Sequence, residues 1–304
     1  MSKYDYDLPF VEEKDDIVVL KHLTKHFPVA TSLTGKVLVS VKAVNDVSLR
    51  IKKGTTLGVV GESGCGKTTL GRTMLRLYDI TSGEVIYRGL SLDRLSTDQL
   101  KVLLPDEDEA YKAKSREEIM ARLEETGVDI SRANAKILQK LRPDIQIIFQ
   151  DPYSSLSPRM TVGEIIGEAV REHEIVPRSE HKEYVLKIMK ECGLQTHYYE
   201  RYPHEFSGGQ RQRIVLARAL MHQPRILFLD EATSAMDNVS QKAVKKNMDA
   251  LGITRISIAH RLSTVMDCDR ILVMDHGQIV EQGNFQELMD QNGLFASMAR
   301  RNLV

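Results

Sequence analysis

The residues from Gly61 to Thr69, "GESGCGKTT", carry the clearest chemistry in the sequence. Gly61-Glu62-Ser63-Gly64-Cys65-Gly66-Lys67-Thr68 fits G-x-x-x-x-G-K-[ST], the spacing of a loop that wraps phosphate. The glycines let backbone N–H groups turn inward toward phosphate oxygens. Lys67 then reaches the β- and γ-phosphates, and the Thr68 hydroxyl can hold Mg²⁺. The motif needs a strand before it and a helix after it. "LGVV" and "TTLGRTMLRLY" supply both, and the helix start adds the positive end of its dipole. Cys65 reads as a small loop residue rather than a nucleophile.

Two further stretches belong to the same chemistry. "RILFLDE" runs apolar on both faces, as a central parallel strand does, and then presents Asp230 and Glu231. The C-terminal ends of such strands are where α/β sheets bind ligands. Phosphoryl transfer needs a metal ligand and a group that orients the attacking water. Asp230 suits the first task and Glu231 the second. Residues 202–213, "YPHEFSGGQRQR", hold a second glycine-rich loop, Ser207-Gly208-Gly209-Gln210, immediately before a helical pattern. Its Ser207, Gly208 and Gly209 are suited to donate hydrogen bonds to phosphate from a helix N-terminus. Why one chain should carry two phosphate-facing loops is not answered by spacing alone.

The elements that must position these residues are legible as alternating patterns. Residues 16–60 read as strands, "DIVVLKHLTKHF", "VKAVNDVSLRI" and "TTLGVV", with "PVATSLTGKV" as a loop between the first two. "SGEVIYRG" is another short strand. Residues 93–142 are highly charged and helical in period. Ile119, Met120 and Leu123 share one face there, and Ile137, Leu138 and Leu141 share another. Gly127 parts the two pieces, Ser131 is the expected N-cap, Pro143 ends the second, and the whole reads as a solvated excursion. Residues 161–222 are helical. The strand-like "RILFLD", "TRISIA" and "DRILVMDHGQIVEQG" follow, the last with a hairpin turn at Asp275-His276-Gly277. A closing helix covers "NFQELMDQNGLFASMARR". Alternating strands and helices predict an α/β core with a mainly parallel sheet.

Bulk composition narrows the partners. Lys plus Arg and Asp plus Glu both total 42 among 304 residues, so the formal net charge is zero. That gives no chain-wide basic field for nucleic acid. Trp is absent and aromatics make up 6%, which disfavours base stacking as the main business. The three cysteines, Cys65, Cys192 and Cys268, fit no zinc or iron–sulfur spacing, and a sparse odd set suits a reducing compartment. The N-terminal "MSKYDYDLPFVEEKDD" is acidic and lacks the apolar centre of a signal peptide. No apolar run is long enough to span a bilayer.

Taken in order, "GESGCGKTT", Gln150 in "IIFQDP", "FSGGQRQR", "LFLDEATSAMD" and His260 in "IAHR" resemble the ATP-binding cassette (ABC) ATPases from about residue 16 to 290. The resemblance implies a P-loop cassette with a RecA-like core, an N-terminal antiparallel β subdomain and an inserted helical subdomain at about 151–222. The charged insertion at 93–142 and a helical tail at 291–304 lie beside these parts.

It also implies an answer to the two-loop question. Two cassettes dimerise head to tail, and each "SGGQ" loop closes over ATP held by the other subunit's phosphate loop. Gln150 then contacts Mg²⁺ and the attacking water, His260 touches the γ-phosphate, Asp237 meets the partner, and Phe27 in "TKHFPV" stacks on adenine. The expected ligands are ATP and Mg²⁺. Lys67, Gln150, Glu231 and His260 form the catalytic set, and Thr68, Gln150 and Asp230 hold the metal. The nucleotide contacts are Phe27, Gly61, Ser63, Gly64, Cys65, Gly66, Lys67, Thr68, Thr69, Gln150, Ser207, Gly208, Gly209, Gln210 and Asp237.

Residues 144–222 resemble the ATPase subunits of oligopeptide, dipeptide and nickel importers. That implies transmembrane permease subunits, a second cassette (identical or different), an extracytoplasmic substrate-binding protein, no nucleic acid, and a peripheral place on the cytoplasmic face of the membrane. "DEATSAMD" and "SIAHRLSTVMDCDRILVMDHGQIVEQGNFQELM" are closer to exporter cassettes, with Ala232 and Arg261 where importers carry proline and aspartate. The alternatives are therefore an exporter cassette and a soluble ABC ATPase outside transport.

Overall fold

The computed structural model describes residues 15–31, 37–104, 115–149, 151, 155–172, 175–230, 238–259 and 262–302. Gln150, Glu231, Asp237 and His260 lie outside the described residues. The chain divides into two units, one of residues up to Arg142 together with those from Val265 onward, the other Pro143–Thr264.

The first unit begins with β1 (Asp16–Thr31), β2 (Val37–Lys52), β3 (Thr56–Gly61), α1 (Lys67–Met74) and β4 (Ser82–Tyr87). It continues through α2 (Thr97–Val102), α3 (Arg116–Thr126), β5 (Val128–Asp129) and α4 (Ala135–Leu141). The second unit holds β6 (Ile145–Ile148), α5 (Val162–Glu172), α6 (His181–Glu191), α7 (Gly208–Leu220), β7 (Ile226–Asp230), α8 (Asn238–Ala250) and β8 (Thr254–Ile258). After α9 (Leu262–Val265), the chain returns to the first unit with β9 (Arg270–Asp275), β10 (Gln278–Gly283), α10 (Phe285–Asp290) and α11 (Leu294–Asn302).

In the first unit β2, β1, β4 and β5 form an antiparallel sheet in that order. β3 pairs in parallel with β9, which pairs antiparallel with β10. All six residues of β3 are buried, as its unbroken apolar run requires. Asp269 clamps the start of the β3–β9 pair: its carboxylate accepts the Thr56 N–H at 2.7 Å, and its own N–H donates to Thr56 O at 3.0 Å. The expected hairpin is present. His276 and Gly277 both have positive φ, 46° and 79°, as a two-residue turn between right-twisted strands demands.

Four expectations need correction. The loop expected over 28–37 is strand at both described ends: Pro28 pairs with Ser40 and Ala30 with Val39. β1 pairs with β4 only as far as Thr24, and beyond it proline's missing N–H costs no ladder bond on that side. The N-cap of α4 is Asn134, whose side chain accepts from Ile137 N–H at 3.0 Å. Ser131 instead lies in a short 3₁₀ turn capped by Asp129.

Nor is 93–142 a solvated excursion. Ile119, Leu123, Val128, Ile130, Ile137 and Leu141 are buried, and β5 adds a strand beside β4. α3 and α4 bury two residues apiece, and the surrounding charge hides them in a composition window. Finally, the closing helix is two helices, α10 and α11. Asn292 at φ 53° and Gly293 break the helical run between them.

In the second unit β8, β7 and β6 form a parallel set, with β7 and β8 buried along their whole length. The helical block at 161–222 is observed as α5, α6 and α7. α5 buries Val162, Ile165, Ile166, Ala169 and Val170, the spacing of one helical face. They pack in one core with Val185, Ile188 and Met189 of α6 and Ile214, Leu216 and Leu220 of α7.

Candidate active site

The phosphate loop joins β3 to α1, and backbone geometry explains its glycines. Gly66 caps α1 at φ 108°, and a Cβ there would sit 2.1 Å from Ala43 O on β2. Gly61 has φ 153°, and a Cβ would sit 2.3 Å from Met274 O on β9. Gly64, at φ 81°, needs glycine for its backbone alone, since open space surrounds it. The hairpin turn holds the loop from outside: Gly277 N–H donates to Cys65 O, and Asn45 N–H to Gly277 O, both at 2.9 Å.

No side chain caps α1, and its first turn has no acidic residue. Its leading amides and its dipole therefore meet no side-chain carboxylate of their own helix. Lys67 is 4% exposed. Its Nζ donates to Gly61 O at 2.9 Å and Glu62 O at 2.8 Å and lies 3.7 Å from Cys65 Sγ. The ammonium thus sits inside the ring of loop carbonyls, where phosphate oxygens can replace those acceptors. Cys65 is buried in this packing, which suits a loop-filling residue. Ser63 is exposed at the loop tip. Thr68 and Thr69 lie half-buried on the first turn of α1, and Thr69 O accepts from Thr73 Oγ1 at 2.7 Å.

Phe27 lies on β1 opposite Val41 and is half-buried. Tyr78 meets its ring edge-to-face, with centroids 5.4 Å apart, and Lys25 Nζ stands 4.8 Å from its centroid.

In the second unit Asp230 is the last residue of β7, 5% exposed and level with Ile258 of β8. Among the described residues no cluster of three or more His, Cys, Asp or Glu side chains could hold a metal by itself. The Asp230 carboxylate is a hard oxygen donor of the kind Mg²⁺ takes, one or two to a site, beside waters and substrate phosphates.

Ser207 is the N-cap of α7 within a reciprocal capping box: its Oγ accepts from Gln210 N–H at 3.4 Å, and Gln210 Oε1 accepts from Ser207 N–H at 2.9 Å. Gly208 and Gly209 form the first turn, half-buried beside the exposed serine. The approach to this turn is fixed by two residues that sequence reasoning missed. Arg211, 6% exposed, donates from Nε to Pro203 O at 2.7 Å and from Nη2 to His204 O at 3.3 Å. Arg201 lies over the Phe206 and Tyr198 rings and pairs with Glu205 at 3.1 Å. The Tyr202 N–H, then Arg201, hold the Glu205 carboxyl below its ordinary range. Arg211 looks in sequence like one more charge in "RQR"; no local signal separates a buried guanidinium from a solvated one.

The structure therefore gathers Gly61, Ser63, Gly64, Cys65, Gly66, Lys67, Thr68 and Thr69 on one loop and helix start, and Ser207 to Gln210 on another. The family model for the ABC transporter matches residues 44–234. The oligopeptide transport ATP-binding protein AppF of Bacillus subtilis is 37% identical over 91% of this chain and 74% of its own length. OppF of the same organism, also an oligopeptide transport ATP-binding protein, is 38% identical over 91% of this chain and 78% of its own. The glutathione import ATP-binding protein GsiA of Escherichia coli is 36% identical over 90% of this chain, which spans 40% of that protein.

Among solved structures, a bacterial Atm1-family ABC exporter with ATP bound aligns at a TM-score of 0.69 and 25% identity, covering 95% of this chain and 42% of that one. The cassette MJ0796, a dimer bound to ADP and phosphate, aligns at 0.67 and 22% identity over 88% of this chain and 98% of that one, and so shares the fold. With a phosphate loop, a buried acidic strand end and a capped "SGGQ" helix on this fold, the chain belongs to the ABC transporter family, as one of its ATP-binding subunits.

Proposed function

We propose that the chain hydrolyses ATP to drive a membrane importer of peptides or nickel, working as one of two cassettes that close on shared nucleotide. The observation that carries the ATPase reading is the enclosed Lys67 ammonium, poised at the start of α1 that no side chain caps, behind Gly61 and Gly66, where a Cβ would strike backbone. The β- and γ-phosphates rest on the α1 amides and Lys67, and Phe27 carries the base. Thr68, Asp230 and Gln150 would hold Mg²⁺, which would supply positive charge to neutralise the phosphate oxygens. Glu231 takes a proton from the attacking water as it adds to the γ-phosphorus, the bond to the β-phosphate oxygen breaks, and ADP and phosphate leave. His260 steadies the γ-phosphate. Ser207, Gly208 and Gly209 of the second cassette donate to it from the opposite side, and Asp237 meets that subunit.

The peptide class is supported by the oligopeptide and glutathione transport relatives that match nine-tenths of the chain. No described helix is long and apolar enough to cross a membrane. The transport relatives support separate permease subunits as the membrane partners, with a substrate-binding protein outside. A second reading, an exporter cassette, is favoured by Ala232 and Arg261.

Three measurements test the proposal. Glu231→Gln should retain ATP affinity and lose turnover by about 100-fold or more, the scale of a general base. Full turnover in that variant would remove Glu231 from the mechanism. Gentle solubilisation should bring the chain out with permease subunits, and recovery only with ribosomes or DNA would overturn the transport role. Vesicles rebuilt from that complex should accumulate peptide inward on ATP hydrolysis; outward movement would select the exporter reading.

A further inference from the structure

We propose that Tyr78 is a positioning residue for the nucleotide base, locking the Phe27 ring to the helix that carries Lys67. The inference rests on the reading of Phe27 as the base platform. A nucleotide grips at two points, base and phosphates, so the platform must be held at a fixed place relative to the phosphate loop. Lys25 cannot do this, because it shares β1 with Phe27 and moves with it. Tyr78 lies beyond the C-terminus of α1, on the far side of a tight stop.

That stop is a Schellman arrangement. Arg76 N–H donates to Thr73 O at 3.0 Å and Leu77 N–H to Arg72 O at 2.9 Å, with Arg76 at φ 53° where glycine is the usual choice. Tyr78 N–H also donates to Arg72 O, at 3.3 Å. The Arg72 side chain then takes the other end of the same residue: Nη1 donates to Tyr78 Oη at 3.0 Å, with the guanidinium carbon 5.8 Å from the ring centroid. Tyr78 is thus held by backbone and by side chain to one residue of α1, five positions after Lys67.

Its ring meets Phe27 at 89°, the edge-to-face geometry that aromatic quadrupoles favour. The chain just beyond is fastened to β1 on either side of Phe27's neighbour Lys25: Thr81 N–H donates to Thr24 O at 2.9 Å, and Thr81 Oγ1 accepts from His26 N–H at 3.0 Å. Phe27, Tyr78 and Arg72 are each half-buried, which leaves part of the Phe27 ring open to a ligand.

The test titrates the full chain with MgATP and with magnesium tripolyphosphate, which has the phosphates and no base. Tyr78→Leu should weaken ATP about fivefold and leave tripolyphosphate within about twofold, the scale of one aromatic contact. Tyr78→Phe, which keeps the ring and loses only the Arg72 bond, should fall between wild type and Tyr78→Leu. Phe27→Ala should weaken ATP at least as much, and adding Tyr78→Leu to it should change little. Equal weakening of both ligands in the two Tyr78 variants would mean a structural role and overturn the proposal. ATP affinity unchanged by Tyr78→Leu but lowered by Phe27→Ala would overturn the proposal alone. ATP affinity unchanged by Phe27→Ala would remove the platform itself.

Discussion

At the scale of single residues, the phosphate loop separates two reasons for glycine. Gly64 and Gly66 both hold positive φ, 81° and 108°, and each would be strained by a side chain. At Gly64 that is the whole cost, because a Cβ would meet open space. At Gly66 the Cβ would press within 2.1 Å of Ala43 O, and backbone held between the paired Lys42 and Val44 cannot swing aside as a side chain can. Gly64→Ala should therefore cost about 1 kcal/mol, and Gly66→Ala at least about 2 kcal/mol more through displacement of β2. Urea unfolding of the two variants measures the difference, and equal losses would refute the close approach to β2. Gly64 stands at one of the motif's open positions, whereas Gly66 is fixed by it and so is legible in the sequence. The contact with Ala43, and that of Gly61 with Met274, are not, since the partners arrive from other strands. Lys67 is legible as the phosphate lysine, whereas its resting bonds to Gly61 O and Glu62 O follow from loop curvature that no spacing rule encodes.

At the scale of elements, the existence of most strands and helices was readable, and which of them are packed into a core was not. β3 and β7 declare themselves by unbroken apolar runs, and α5 by its single buried face. The segment 93–142 is legible as helical but not as packed: α3 matches α5 in length, yet it buries only Ile119 and Leu123 and carries charge over the rest of its surface. Side-chain caps do the remaining work. Ser96 with Gln99 and Ser115 with Glu118 each close a capping box, and Asn134 starts α4. Polar bonds then tie the pieces together: Arg116 Nη1 donates to Leu95 O at 2.6 Å, and Lys140 Nζ to Gln99 Oε1 at 2.9 Å. Ile119 on α3 is fully buried. Ile119→Ala should cost about 2–4 kcal/mol, the range for a truncated core residue. A solvated excursion would register no change in the unfolding midpoint, so the measurement distinguishes the packed insertion from the one its composition implies.

At the scale of the whole molecule, the two glycine loops make different demands on one chain. The α1 start is lined with its own lysine; the α7 start presents an exposed Ser207 on a helix whose capping box already satisfies the Ser207 and Gln210 amides. The other amides of that first turn are satisfied by water until an anion docks on them. The motif order announced this in the sequence, through family resemblance, because no property of "SGGQ" by itself says whose phosphate it faces.

Two crippled subunits put that division of labour to the test. Lys67→Ala removes the phosphate lysine and keeps a sound Ser207; Ser207→Arg does the reverse, at a local cost of about 1 kcal/mol for the lost cap. Each homodimer has both sites damaged and should be inert. In a mixed dimer the defects gather in one site and leave the other intact, with Lys67 from one chain and Ser207 from its partner. Random mixing makes about half the dimers mixed with one of two sites working, so an equal mixture should recover about a quarter of wild-type turnover. If each chain completed its own site, mixing would recover nothing, and dimers shown to be mixed yet inactive would decide against the shared site.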